Sequence, residues 1–266
     1  MNRPRACGSP ALGGGPNQRP TTDDRRPATE VPGTILLIAA TEAEASRLTQ
    51  GLKRVRAESP WRVWQGEVED TAVHVVVTGV GKANTALALG ALVPVLRPAA
   101  VVQVGVGGAY PGSGLESGHL AVATREAYGD EGAETRAGLR GLKALGLPVW
   151  RAEDREWYET LPVDPGLCRR LSAAARKVAP CRRGGFVTVS TVTGTAERAA
   201  RLARRHRAVC ESMEGAAAAH ACLALGVPFG EVRGISNPVG PRDRRSWRLH
   251  EAAAAAQEAV LALLGA

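Results

Sequence analysis

Aromatic side chains are scarce in this 266-residue chain. Five tryptophans, three tyrosines and two phenylalanines make up 4% of it, so aliphatic and alanine side chains must fill the core. No stretch approaches the ~20 uninterrupted apolar residues of a membrane span, which excludes a transmembrane helix. The N-terminus has no continuous apolar run of the kind a secretory signal carries. Cysteine is sparse as well. Cys7, Cys168, Cys181, Cys210 and Cys222 are odd in number and widely spaced, with no CxxC and no Cys/His ligand pattern. That spacing argues against a zinc site and for reduced thiols in the cytoplasm. His74, His119, His206, His220 and His250 form no metal spacing either, and no GxSxG nucleophile elbow occurs. Lysine is nearly missing: of 34 basic residues only Lys53, Lys82, Lys143 and Lys177 are lysine. The net charge of +8 is therefore an arginine excess, in a chain also rich in alanine and glycine, and it reads as compositional bias. The alternative is a basic nucleic-acid-binding protein, supported by Arg198, Arg201, Arg204, Arg205 and Arg207 on one helix. No stacking aromatics or nucleic-acid motif accompany them, so a solvated helix face is expected and neither nucleic acid nor membrane is a partner.

What is present alternates. Residues 1–33 are built from Pro, Gly, Arg and Thr and are expected to be a disordered tail, leaving 34–266 as one domain. Thr34–Ala40 reads as a buried strand, and Thr41–Lys53 as a helix with Thr41 and Glu44 at capping-box spacing. Trp61–Val68 and Thr71–Thr78 read as a hairpin across Glu69-Asp70. Lys82–Leu96, Ala196–Arg207, Met213–Leu225 and most of Arg242–Leu264 read as helices. Ala99–Val106, His119–Tyr128, Gly185–Val192 and Pro228–Ser236 read as strands. The alternation predicts an α/β domain with a mixed, mostly parallel central sheet flanked by helices, and ligands at the strands' C-terminal ends.

Two glycine-rich turns follow strands. Gly79-Val80-Gly81-Lys82 lacks the earlier glycine and the Ser/Thr of a phosphate-binding loop, and Gly105-Val106-Gly107-Gly108 has Tyr110 where a dinucleotide fingerprint needs glycine. What survives is close backbone approach to a sugar or base, or a structural turn. The carboxylates say more. Glu42 and Glu44 lie just past a strand, and Glu44 suits either an exposed cap or a catalytic acid. Glu214 opens an apolar helix, where a carboxylate is costly unless paired or holding a ligand. The helix N-terminus favours its ionised form, suited to accepting hydrogen bonds from vicinal hydroxyls. Val232–Pro238 ends a buried strand with polar groups, and Pro238 holds Asn237 extended.

Four segments in order, Ile38–Glu44, Gly79–Asn84, Gly105–Pro111 and Glu211–Gly215 with Arg233–Asn237, resemble the purine nucleoside phosphorylase and nucleosidase superfamily from Thr34 to Leu264. The likeness is greatest to its hydrolase branch of methylthioadenosine/adenosylhomocysteine nucleosidases and futalosine hydrolases. The resemblance implies a nucleoside phosphorylase-like fold, a small-molecule nucleoside substrate, no cofactor or metal, and a homodimer or homotetramer. It implies that Glu44 activates the attacking water, that Glu214 grips the ribose hydroxyls with Met213 against the ring, and that Ser236 and Asn237 recognise the base. Val106, Gly107 and Gly108 would line the substrate site. A carboxylate beside the sugar both activates water and stabilises an oxocarbenium-like transition state. Glu42 and Glu44 stand where phosphorylases carry a phosphate-binding arginine, which favours water as nucleophile over a phosphorylase reaction. Asparagine at 237, where adenine-specific nucleosidases carry aspartate, suits a 6-oxopurine because its amide donates without ionising. Together with Gly234–Arg244 and Tyr128–Gly132, this points to release of hypoxanthine from futalosine in a menaquinone pathway. Arg233, Arg242 and Arg244 are the candidate cations for that substrate's benzoate tail. Asp243 or water would protonate the leaving base. His119, where relatives carry an acid, reads as surface variation.

Overall fold

Five consecutive apolar residues between a glycine and a capping threonine make β1 (Ile35–Ala39), a strand buried along its whole length. A computed structural model describes residues 33–55, 60–152 and 154–265; the expected disordered tail lies outside the described residues, except for Gly33. Then follow α1 (Glu42–Ala45), β2 (Lys53–Val55), β3 (Arg62–Val68), β4 (Thr71–Val77), α2 (Lys82–Leu96), β5 (Ala100–Ala109) and β6 (Leu120–Tyr128). Short elements come next: β7 (Ala133–Thr135), β8 (Gly138–Arg140), α3 (Leu142–Leu145), β9 (Trp150–Ala152), β10 (Arg155–Trp157) and β11 (Thr160–Pro162). The chain continues through α4 (Pro165–Val178), β12 (Cys181–Thr188), α5 (Ala196–His206), β13 (Ala208–Ser212), α6 (Gly215–Leu225), β14 (Phe229–Pro238) and α7 (Leu249–Leu264).

Ten of these strands form one mixed sheet. β1 lies parallel between β4 and β5, and β14 is parallel to β5. β6, β12 and β13 are parallel neighbours. Antiparallel joints close the arrangement: β14 pairs β6, and β13 pairs the end of β5. The strands β5, β14, β6, β12 and β13 thus return on themselves as a ring. β5 makes this possible by changing neighbour along its length. Ala100–Gln103 pair β1, and Gly108–Ala109 pair β13. The change falls at Gly105–Gly108, where strand ends converge.

The hairpin is as expected: Val68 pairs Thr71, and Glu69 and Asp70 both have positive φ, as a two-residue primed turn demands. α1 is shorter than expected. Its Thr41 cap and Glu44 box are formed, but the helix stops after one turn. The buried Gln257 of α7 takes the Arg47 N–H at 2.7 Å and donates to the Ala43 carbonyl at 3.2 Å. That amide splits the bond that would have continued the helix. β2, the short elements from β7 to β11 and the helix α4 were not anticipated, and other differences are local. β12 begins at Cys181 rather than Gly185, α7 begins at Leu249 after a 3₁₀ turn at Arg244–Ser246, and β13 was unanticipated.

Candidate active site

The chain change in β5 opens beside a cavity of about 430 Å³. Its lining includes ten of the residues put forward from the sequence, Glu44, Val106, Gly107, Gly108, Met213, Glu214, Arg233, Ser236, Asn237 and Arg242, but not Asp243 or Arg244.

Glu44 is both things the sequence left open. Its Oε2 accepts the Thr41 N–H at 3.1 Å and the Thr41 hydroxyl at 2.8 Å, completing the capping box. Its Oε1 accepts the Val106 N–H at 2.8 Å. Capping α1 is what aims the carboxylate into the cavity wall. Glu42, one turn face away, pairs instead with Arg62 at the surface. The glycines of β5 have a steric cause. A Cβ at Gly105 would stand 2.6 Å from both Glu44 Oε1 and Arg233 Nη1, and one at Gly107 would meet Glu211's carbonyl at 3.0 Å.

Glu214 occupies the N-cap of α6, but its side chain makes no cap bond. It accepts the Gly81 N–H at 3.0 Å and an Arg233 Nη2–H at 3.1 Å. Gly79 and Gly81 have φ of +91° and +97°, so the second glycine turn is a device for aiming a backbone donor at this carboxylate. Glu211, absent from the sequence-selected set, also lines the cavity. Tyr110 Oη and Thr193 Oγ1 donate to it at 2.8 and 2.6 Å, and the Thr193 N–H at 3.0 Å. Burial, together with the Glu211 charge, pushes the Tyr110 hydroxyl up, so it stays a donor.

Asn237 is oriented by its neighbours. The Pro238 carbonyl can only accept, so the atom 2.9 Å from it is Nδ2, and the Ser236 hydroxyl donates to Oδ1 at 2.7 Å. The acceptor face is thus occupied within the protein, and Nδ2 keeps a second N–H to donate.

The three candidate arginines separate. Arg233 is 1% exposed and is consumed by Glu231 at 2.6 Å, Glu214 at 3.1 Å and the Val106 carbonyl at 3.1 Å. Burial opposes its charge, but the carboxylates of Glu231, Glu214 and Glu44 raise its pKa further. Its assignment to an anionic tail is corrected: it is the counter-charge of the buried acids. Arg244 does not line the cavity. Arg242 does, with its guanidinium 4.7 Å from the Trp247 ring centroid and no carboxylate partner among the described residues. Trp247, Leu249 and His250 extend that wall, and none was singled out from the sequence. Asp243 is also corrected. It is exposed, lies outside the cavity lining, and is paired with Arg245 at 3.1 Å, which lowers its pKa and leaves it no proton to give. His119 sits in a turn, accepting the Glu116 N–H at 3.2 Å, outside the lining.

The chain matches the family model described as Phosphorylase superfamily over residues 34–265. It is 39% identical to a futalosine hydrolase of Thermus thermophilus, over 76% of this chain and 84% of that one. A futalosine hydrolase of Acidothermus cellulolyticus is 34% identical over 86% and 89% of the two chains. Among solved structures, the 5'-methylthioadenosine/S-adenosylhomocysteine nucleosidase of Neisseria meningitidis shares the fold. It has a TM-score of 0.75 at 23% identity, covering 87% of this chain and 98% of that one. The chain belongs to the phosphorylase superfamily, in the family of the futalosine hydrolases.

Proposed function

We propose that the protein hydrolyses the N-glycosidic bond of futalosine, releasing hypoxanthine, as a step of a menaquinone pathway. The observation that carries this reading is one cavity lined by Glu44, Glu214 and Asn237 together, with Arg233 bonded to Glu214 and Ser236 bonded to Asn237. In this reading Glu44 takes the proton of the attacking water. Three donors hold its carboxylate still, so little reorganisation accompanies the transfer. Glu214 accepts hydrogen bonds from the ribose hydroxyls, Met213 packs on the ring, and the backbone of Val106–Gly108 lies beneath it. The carboxylates stabilise positive charge as the glycosidic bond breaks. Asn237 Nδ2, backed by Ser236, donates to O6 or N7 of a 6-oxopurine, and water supplies the proton to the departing base. Arg242 and the face of Trp247 suit an aromatic carboxylate at the far end of the substrate.

Three carboxylates (Glu44, Glu211 and Glu214) line a cavity whose buried cation, Arg233, is already paired. That balance disfavours phosphate as the nucleophile and supports hydrolysis over phosphorolysis. We also assign the protein to the cytoplasm, since the four described cysteines are all unpaired. Assembly into a homodimer or homotetramer is part of the same reading. On α2, Leu87 and Val95 are 66% and 75% exposed, an apolar face that a second copy would cover. The test is chromatography after incubation with futalosine, aminodeoxyfutalosine, inosine and methylthioadenosine. Futalosine should be consumed fastest; a preference for methylthioadenosine would overturn the reading.

A further inference from the structure

Glu126 and Glu231 take no part in the chemistry above, yet both are completely buried. They come from β6 and β14 and stand side by side: Glu126 Oε2 and Glu231 Oε2 both lie within 3 Å of the point a Gly215 Cβ would occupy. Two carboxyl groups this close in a dry interior do not both ionise, so one carries a proton. Glu231 Oε1 accepts the Arg233 Nε–H at 2.6 Å, so the negative charge belongs on Glu231 and the proton on Glu126. The pair is closely housed. A Cβ on Gly215 would overlap Glu231 Oε2 and stand 2.7 Å from Glu126 Oε2, so only glycine fits at the start of α6. Thr188 Oγ1 lies 3.3 Å from Glu126 Oε2 and accepts the Ala216 N–H at 2.7 Å. Gln103 stands in register beside Glu231 on β5, buried, with no partner for either amide atom among the described residues.

A line of adjacent polar groups thus runs from the interior to the cavity: Glu126 beside Glu231, Glu231 bonded to Arg233, Arg233 bonded to Glu214. We propose that Glu126 and Glu231 form a one-proton acid pair that positions Arg233, and through it Glu214, for the hydrolysis. The proposal rests on the role given to Glu214 above. Neither acid touches substrate; both are positioning residues. Loss of the Glu126 proton would set two negative carboxylates against each other in a dry interior. Glu231 would then shift on Arg233, and the grip of Arg233 on Glu214 would loosen.

Several groups face the pair. From β14 comes Arg233, held cationic by its carboxylates. From β13 comes Cys210 and from β6 Tyr128, both pushed up chiefly by burial and neutral over the accessible range. Beyond Arg233 lie Glu44 and Glu214, and α6 presents its N-terminal N–H groups. In register beside Glu126, β11 and β12 place the apolar Leu161 and Phe186. Burial, and then the Glu231 charge, raise Glu126 well above the ordinary carboxylate range. Glu126 is therefore the member of the pair that keeps its proton longer as pH rises.

The experiment combines infrared spectroscopy with pH profiles of kcat/KM for futalosine. Wild-type protein should show the C=O stretch of a protonated carboxyl at neutral pH, and Glu126→Gln should lose it. The wild-type profile should fall on the alkaline side with loss of one proton. In Glu126→Gln, whose amide N–H replaces the acid's O–H, that fall should move up by about one pH unit or vanish. Glu126→Leu offers Glu231 no donor and should have kcat about tenfold below Glu126→Gln. Absence of the protonated-carboxyl band in the wild type overturns the proposal, and that measurement needs no variant to fold. Superimposable pH profiles, or equal kcat for the Gln and Leu variants, overturn it as well. A wild-type protein that leaves futalosine intact contradicts the function proposed above, whereas the infrared band reports on the acid pair independently of substrate.

Discussion

Glu44→Gln separates the two roles that the structure joins in one side chain. The carboxylate accepts three hydrogen bonds, two on Oε2 from Thr41 and one on Oε1 from the Val106 N–H. An amide has one accepting atom. With its NH₂ toward Val106, the Val106 N–H is left unpaired; turned the other way, the Thr41 hydroxyl can accept but the Thr41 N–H cannot. Either orientation leaves one backbone N–H without its acceptor, at a cost of about 1–3 kcal/mol. For a domain of this size each kcal/mol corresponds to about 2–4 °C in Tm, so a fall of roughly 2–12 °C is expected. The catalytic loss is separate. Removing a positioned base costs about 10²–10⁴ in rate, or roughly 2.7–5.5 kcal/mol of barrier. Since Glu44 acts on the water rather than on the substrate, KM should change little. Hypoxanthine release at saturating futalosine, followed by chromatography, reads kcat, and a thermal melt reads the hydrogen-bond loss. Turnover within about tenfold of wild type in a folded variant would refute the water-activation role. An unchanged Tm would refute the hydrogen-bond reasoning.

Asn237→Asp places an acceptor or an acid where Nδ2 donates, and should shift kcat/KM toward 6-amino substrates by about 10²-fold; an unchanged ratio of inosine to adenosine turnover removes the base-selection argument. Arg242→Ala should raise KM for futalosine by about 10–100-fold while leaving inosine, which has no carboxylate, unaffected. Equal effects on both substrates would show that Arg242 does not read the tail. Gly215→Ala opposes helix propensity to sterics. Alanine in a helix is ordinarily about 1 kcal/mol better than glycine, but here its methyl group would strike Glu231 and Glu126. The variant should lose about 1–3 kcal/mol of stability, measured by denaturant unfolding, and a gain would show that the acid pair is loosely housed.

Much of this was legible because the signals were local. The apolar run of β1, the Thr41–Glu44 cap, the two-residue hairpin and the glycines at strand ends each declare themselves within a few residues. The cavity positions of Glu44, Glu214 and Asn237 were legible for the same reason: each stands at the end of an apolar element, where a polar group is conspicuous. What escaped depends on partners distant in sequence. α1 stops because Gln257, on the last helix, inserts into it. Arg233 looked like a free cation because Glu214 and Glu231 become its partners only once β14 lies beside α6. Glu126 and Glu231 each interrupt an apolar strand, and nothing local says that each answers the other. The cavity wall of Trp247, Leu249 and His250 was missed because it forms where the chain turns back from β14 into α7. The start of α4 was legible and passed over: Asp164 caps it, accepting the Leu167 N–H at 2.7 Å, with Pro165 in its first turn.

The central claim is that water, activated by Glu44, displaces hypoxanthine from futalosine. The most direct test is turnover of futalosine in ¹⁸O-labelled water, with and without phosphate, and mass spectrometry of the sugar product. The account predicts hypoxanthine release without phosphate and one labelled oxygen at the anomeric carbon. A strict phosphate requirement, with a sugar phosphate as product, would contradict it.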